Sequence, residues 1–255
     1  MDRKRLAVIG VLISAWLLSL PVKAVDKQLL LEELYNNAGL ERQLDWIQAS
    51  MTLAPSDYAL PQPVVETVNQ VVNVRYNPVF FRSSMTATLD EALSVGELLK
   101  LIDWYNSELG QRILRLETQA NDPANTASME AYINKKLSQD IPRTSRIRLI
   151  EELMEALDAV ELGTELAASA SVGAQRLLRE VMPGRDGKPM RPAQVLKARE
   201  KPGIRREMTD KMRNIFLYTY RSLPDHEIRS YLEFARETAM QNFQRGQILA
   251  MARML

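Results

Sequence analysis

Apolar residues recur at helical spacing along most of the chain, and two distant stretches carry the same stripe. Within 93–113 the stripe consists of Leu98, Leu101, Ile102, Tyr105, Leu109 and Ile113. Within 223–243 it consists of Ile228, Tyr231, Leu232, Ala235, Ala239 and Phe243. Steps of three and four place each set on one face of a 3.6-residue helix. The pattern predicts one continuous helix from Ser94 to about Gln119 and another from Pro224 to near the C-terminus.

The two stretches lie 130 positions apart and share few letters, for example Glu97 with Glu227 and Gln111 with Gln241. A second pair of segments, LLEELYN from Leu30 and LIEELME from Leu149, lies 119 positions apart. An insertion in the second copy, at the loop-like residues 182–192, would account for the different offsets. The sequence therefore predicts two pseudo-repeats. Chance similarity between amphipathic helices stays open as the alternative.

Helical patterns also fill the remainder of the chain. The predicted helices span 26–53 with a break at Gly39, 64–85 with an interruption at Asn77-Pro78, 129–137, 147–171, 193–200 ended by Pro202-Gly203, and 204–220. The β-branched segment after Val64 leaves a strand open there, although clean alternation is lacking. The fold class is therefore all-α: a helical bundle or a short helical repeat array. The units are 25–137 and 138–255, or one compact domain.

The first 24 residues have the pattern of a secretory signal peptide. Basic residues at positions 3–5 precede the apolar run Leu6–Leu20, and Val22-Lys23-Ala24 suits cleavage between Ala24 and Val25. The run is shorter than the roughly 20 residues that a membrane span needs. We expect a periplasmic protein of a Gram-negative envelope. A retained inner-membrane anchor is the alternative.

One motif resembles a known family. The residues Trp104-Tyr105-Asn106-Ser107-Glu108-Leu109-Gly110 are similar to the Phe-Tyr-x-Ser-Pro-x-Gly signature of DUF2059, a family of exported bacterial proteins of unknown function. Glu108 stands where that signature has proline. The equivalent residues 234–240 of the second stretch lack its Tyr, Ser, Pro and Gly. The resemblance implies a helical, envelope-located protein and carries no mechanism with it.

Composition narrows the possible chemistry. Apolar residues make up 46% of the chain, which is typical of a folded protein, and there is no cysteine. Disulfides, thiolate nucleophiles and cysteine metal sites are therefore excluded. The only histidine is His226. The sequence has no GxSxG motif that would supply a serine nucleophile for it, and an HExxH metal site needs two histidines. Glu151 and Glu152 fit the outward face of a helix. We expect no enzyme activity, no cofactor and no metal.

Two sets of residues remain as binding candidates. Aromatic residues that could line a groove for an apolar or peptide ligand are Trp46, Trp104, Tyr105 and Phe234. Ordinary core packing is their alternative interpretation. Residues that could contact an anionic partner are Arg176, Arg179, Arg185, Lys188, Arg191, Arg205 and Arg206. They belong to a segment, 176–213, with 12 basic and 5 acidic residues. A solvated face that complements the acidic half of the molecule, residues 25–137 with 9 basic and 15 acidic residues, is the alternative there.

These observations predict a non-enzymatic protein-interaction or ligand-binding module. Its partner would be an envelope protein or an apolar or anionic ligand; oligomeric state stays open. The alternative function is envelope lipid binding through the basic segment and an apolar groove. An exported chain rarely meets nucleic acid, and the basic segment lacks the interleaved aromatics that stack on bases. We therefore expect no nucleic-acid partner.

Overall fold

The computed structural model describes residues 26–42, 62–75, 77–139, 141–165 and 193–254, and in those residues it is all-α. The helices are α1 (Lys27–Asn37), α2 (Gln62–Arg75), α3 (Pro78–Ala92), α4 (Val95–Asn106), α5 (Glu108–Asn121), α6 (Thr126–Ala131), α7 (Thr144–Ala156), α8 (Ala193–Thr219), α9 (Asp225–Ala235) and α10 (Thr238–Met254). A short 3-10 turn, Pro123–Asn125, precedes α6, and a π-helical turn, Tyr132–Lys136, leads from α6 to helical residues Leu137–Gln139. None of the described helices has the length and apolar run needed to cross a bilayer.

The helices pack around one apolar core. Helix α1 lies against α3 and α4, and α7 lies against α8 and α9. Helix α3 packs on α10, and α8 packs on α5. Leu101 and Tyr231, from the two predicted stripes, are both buried in this core. The prediction that the two stripes face inward is confirmed.

Each stripe belongs to two helices, so the prediction of continuous helices was wrong. The first helix ends at Asn106 because Ser107 adopts an extended backbone, with φ −68° and ψ 156°. The Ser107 hydroxyl donates to the Trp104 carbonyl oxygen at 2.6 Å and accepts from the Gly110 N–H at 3.0 Å. It therefore closes one helix and caps the next. The second stripe also breaks, at Arg236 and Glu237, 130 positions after Asn106 and Ser107.

The turn after α1 confirms the predicted break at Gly39, whose φ is +65°. The predicted helix 147–171 begins earlier, at Thr144, and is interrupted at Leu157 and Asp158, which the sequence did not predict. Asp158 is left-handed, with φ 48°, and aspartate is one of the few non-glycine residues that adopts this conformation. Residues 159–165 are helical again.

Prolines act differently at two predicted boundaries. Asn77 caps α3 with its side chain and Pro78 begins that helix, as predicted, and the segment before it is helix α2 rather than a strand. The predicted stop at Pro202-Gly203 is wrong, because α8 continues through Pro202. The φ of proline is compatible with a helix, and the residue costs one backbone hydrogen bond and a local distortion. The predicted loop 182–192 lies outside the described residues, as do residues 54–61 of the predicted loop 54–63. The last two residues of that loop, Gln62 and Pro63, instead begin helix α2.

Candidate functional site

Aromatic side chains from two helices, α4 and α9, and from the turn after α8 meet between the N-terminal and C-terminal halves of the chain. This aromatic cluster consists of Trp104, Tyr105, Tyr220, Tyr231 and Phe234. Trp104 of α4 stacks on Phe234 of α9, with ring centroids 4.2 Å apart and an interplanar angle of 10°. Tyr231 lies 5.7 Å from the Trp104 ring and meets Tyr220 edge-on at 6.1 Å. Offset stacking and edge contacts of this kind add to the stabilisation from area burial alone.

A carboxyl group from α5 enters the same cluster. Oε1 of Glu117 accepts a hydrogen bond from the Tyr220 hydroxyl at 2.6 Å and another from the Tyr231 hydroxyl at 3.1 Å. Both donors belong to the C-terminal half, and Glu117 belongs to the N-terminal half. The acid therefore joins the two halves through polar contacts inside a mostly apolar interface.

The electrostatics of this cluster follow from its burial. Desolvation raises the pKa of the Glu117 carboxyl, and the two tyrosine hydrogen bonds oppose that rise only in part. Burial also raises the pKa of Tyr220 and of Tyr231, and the neighbouring Glu117 charge raises them further. Both hydroxyls therefore keep their protons and remain donors at neutral pH.

An arginine fixes the position of the main donor. The guanidinium group of Arg146, on α7, donates to the Tyr220 carbonyl oxygen at 2.7 Å and to Asp225 Oδ1 at 2.6 Å. Its side chain is only 14% exposed. Charge-assisted bonds of this kind hold the end of α8 against the start of α9. The Tyr220 hydroxyl is thereby kept within reach of Glu117.

The predicted ligand-binding aromatics fall into two groups. Trp104, Tyr105 and Phe234 come together at the interface between the halves, where Trp104 and Phe234 stack on each other. Tyr105 meets Phe243 edge-on at 6.2 Å. These contacts fit the core-packing alternative better than an open groove. Trp46 lies outside the described residues.

Two of the predicted anion-contacting residues are described. Arg205 pairs with Glu161, and Arg206 is exposed on the same helix. Nearby on α8, Arg213 donates to Glu151 at 2.7 Å. The other predicted contacts, Arg176, Arg179, Arg185, Lys188 and Arg191, lie outside the described residues, as do Ala24 and Val25 of the predicted cleavage site.

The residues weighed for catalysis are dispersed. His226 is exposed in the first turn of α9. Glu152 pairs with Arg236 at 3.2 Å. In the part of the chain that the structure describes, no three potential ligands lie close enough to hold a metal ion.

Glu117 is the residue that sequence reasoning missed. Its signal was its position one helical turn after buried Ile113, on the apolar side of α5. A carboxylate at such a position is expected to have partners. The partners themselves, 103 and 114 residues further along the chain, could not be read from spacing.

Comparison with known proteins agrees with the motif around Trp104. Residues 81–139 match the family model described as "Uncharacterized protein conserved in bacteria (DUF2059)". Over these residues the chain is similar to DUF2059. The region runs from the first turn of α3 through α6 to Gln139, so it contains Trp104 and Glu117 but neither of the tyrosines that donate to Glu117. No curated protein and no solved structure matches the chain.

Proposed function

We propose that this protein is an exported, non-enzymatic helical module that binds another protein of the bacterial envelope. Export is supported by the signal-peptide pattern of residues 1–24. Binding is supported by a surface feature at the junction of α2 and α3.

The observation that carries the proposal is a concentration of exposed apolar side chains at that junction. Val74 and Val79 are each 76% exposed and Phe80 is 56% exposed. They lie within seven residues of one another, on either side of the helix cap Asn77. Isolated apolar residues are common on protein surfaces, but neighbouring exposed ones mark interaction sites. A valine pair with a phenylalanine suits an apolar protein face, because interface centres are rich in aromatics and poor in charge.

Site-specific photo-crosslinking in the source cell tests this proposal. A photoreactive residue at Phe80 is expected to give a protein adduct in the envelope fraction, and Val79→Asp should abolish the adduct. Ile141 is a matched control, since it is apolar and 73% exposed in a separate loop. The same adduct from position 141, or none from position 80, would contradict the proposal. Mass spectrometry of the mature protein should find Val25 at its N-terminus if export occurs as proposed.

Lipid binding through the basic segment is the alternative. The ion pairs of Arg205 with Glu161 and of Arg213 with Glu151 favour the protein-partner proposal, because these cations are already neutralised within the molecule. Co-sedimentation with anionic vesicles that weakens as salt is added would instead favour lipid binding.

A further inference from the structure

The first helices of the two halves end in matching turns. In α1 and the turn after it, the buried residues are Leu30, Leu31, Leu34, Tyr35, Ala38 and Leu40. The residues 119 positions later are also all buried: Leu149, Ile150, Leu153, Met154, Leu157 and Ala159. The left-handed residues Gly39 and Asp158 are themselves 119 positions apart.

The backbone hydrogen bonds of these two turns match as well. The Ala38 N–H donates to the Leu34 carbonyl oxygen, and the Leu157 N–H donates to that of Leu153. Each of these four positions is related to its counterpart by the same offset of 119. Equal burial and equal capping are not required of two helices that merely share amphipathic composition.

The last two helices of each half match at the other offset. Helices α4 and α9 begin at Val95 and Asp225, 130 positions apart, and α5 and α10 begin at Glu108 and Thr238, again 130 apart. In each half, one side chain of the second of these helices makes the same hydrogen bond to the backbone at the end of the first.

That side chain is a glutamine. Nε2 of Gln111 donates to the Tyr105 carbonyl oxygen at 2.5 Å, and Nε2 of Gln241 donates to the Ala235 carbonyl oxygen at 2.7 Å. Donors and acceptors are both 130 positions apart. These two glutamines are among the few identical residues of the two stretches.

One polar contact and one helix contact between the halves each have a reciprocal counterpart. Glu97 of the first half accepts from Asn242 of the second at 2.6 Å. Glu227, the counterpart of Glu97, pairs with Arg112, the counterpart of Asn242. At the level of helices, α3 packs on α10 while α8 packs on α5. Exchange of partners in this way is the mark of an isologous, two-fold interface.

A residue on a two-fold axis must meet its own counterpart, and one pair does. Trp104 and Phe234 are 130 positions apart and stack on each other at 4.2 Å. The axis therefore runs between these two rings, at the centre of the aromatic cluster.

We propose that the two halves, 27–121 and 144–254, are two copies of one unit docked through a homotypic surface about a pseudo-two-fold axis. The partner that this surface fits is a second copy of the same unit, and in this chain the other half fills that place. The inference stands apart from the proposed function, since it uses neither the α2–α3 junction nor export.

Moving one ion pair between equivalent positions tests the symmetry in the full chain. Arg112→Asn removes the pair with Glu227 and is expected to lower the thermal unfolding midpoint by roughly 1–4 °C, since that pair is only partly buried. Adding Asn242→Arg gives Glu97 the same partner and restores the wild-type net charge. The double variant should recover at least half of the loss.

The recovery must depend on the acid at the equivalent position. In a Glu97→Gln background, adding Asn242→Arg to Arg112→Asn should recover nothing. Recovery that persists without Glu97, or no recovery with it, would overturn the proposal.

Exchange of the stacked rings provides an independent second test. Trp104→Phe combined with Phe234→Trp rebuilds the same ring pair in the opposite order across the axis. The exchanged variant should unfold at a higher temperature than either single substitution. An exchanged variant less stable than both singles would show that the two sides of the stack are not equivalent.

Discussion

At the residue scale, Glu117 is a carboxyl group whose ionisation the fold opposes. Its folded-state pKa is raised by burial, so the native state holds the proton more tightly than the unfolded state does. The contribution to stability is therefore complete below the unfolded pKa and is lost as pH rises through the folded pKa. Each tenfold difference in proton affinity between the folded and unfolded states changes the free energy of unfolding by about 1.4 kcal/mol.

Glu117→Gln should therefore stabilise the protein at pH 8 and have little effect near pH 4. The amide oxygen can still accept from Tyr220 and Tyr231, while the cost of burying a charge disappears. Thermal unfolding of both proteins across pH 4–8 measures the difference. Glu155→Gln, which removes a carboxylate from an exposed position of α7, is the control.

The opposite substitution can be made at Gln247, which lies 130 positions after Glu117 and is only 2% exposed. Gln247→Glu should destabilise the protein more at pH 8 than at pH 4. If Glu117→Gln instead lost stability at pH 8, the ionised carboxylate would be a net stabilising partner of the tyrosines, and burial would not dominate its contribution.

At the element scale, sequence periodicity predicted which faces are buried but not where the helices end. The stripe passes through Ser107 without losing register, so the spacing of apolar residues on both sides looked continuous. The helix breaks because the Ser107 hydroxyl hydrogen-bonds to the nearby backbone in competition with the helical hydrogen bonds. The spacing of apolar residues carries no information about this competition. The same limitation applies at Asp158. At Gly39 and Asn77-Pro78, by contrast, residue type alone predicted the break.

Gly110 is expected to be intolerant of any side chain because of that break. A Cβ at Gly110 would lie 2.0 Å from the Trp104 carbonyl oxygen, a backbone atom that the break fixes in place. Gly110→Ala should cost about 1–3 kcal/mol of unfolding free energy, measured by denaturant titration. Gly96, in the first turn of α4, has no atom within 4 Å of such a Cβ. Gly96→Ala should be neutral or stabilising by up to about 1 kcal/mol, and equal losses at both glycines would contradict this explanation.

The two left-handed turns predict substitutions of opposite sign. Gly39→Ala places a side chain in a left-handed conformation and should cost about 1–2 kcal/mol. Asp158→Gly relieves that strain and should be neutral or stabilising, by up to about 1 kcal/mol. Denaturant titration of the two variants compares them directly. A loss at Asp158→Gly as large as that at Gly39→Ala would mean that the aspartate side chain, not its backbone angle, stabilises the turn.

At the scale of the whole molecule, the sequence predicted the all-α class and the pairing of stretches but left open how the halves meet. An amphipathic stripe predicts which face of a helix is buried but not which other helix packs on that face. The contacts of α3 with α10 and of α5 with α8 join helices that are far apart in the sequence, so the local pattern could not predict them. Charge gave a partial signal: the basic segment does pair within the molecule, as Arg213 and Glu151 show, but Glu151 belongs to the same half as Arg213 and not to the acidic half.

Because core contacts cross between the halves in both directions, the described helices should unfold as one cooperative unit. Trp104→Ala removes the central stack and should cost about 2–4 kcal/mol, somewhat less than for a fully buried tryptophan, because Trp104 is only partly buried. Native-state hydrogen exchange should then show equal loss of protection in α1 and in α7, although neither helix contains the substitution. Leu29→Ala, at a position 64% exposed on α1, is the control and should leave both helices unchanged. Loss of protection confined to α1 and α4 would mean that the two halves unfold separately. The Trp104–Phe234 stack would then join two independent cores rather than belong to a single core.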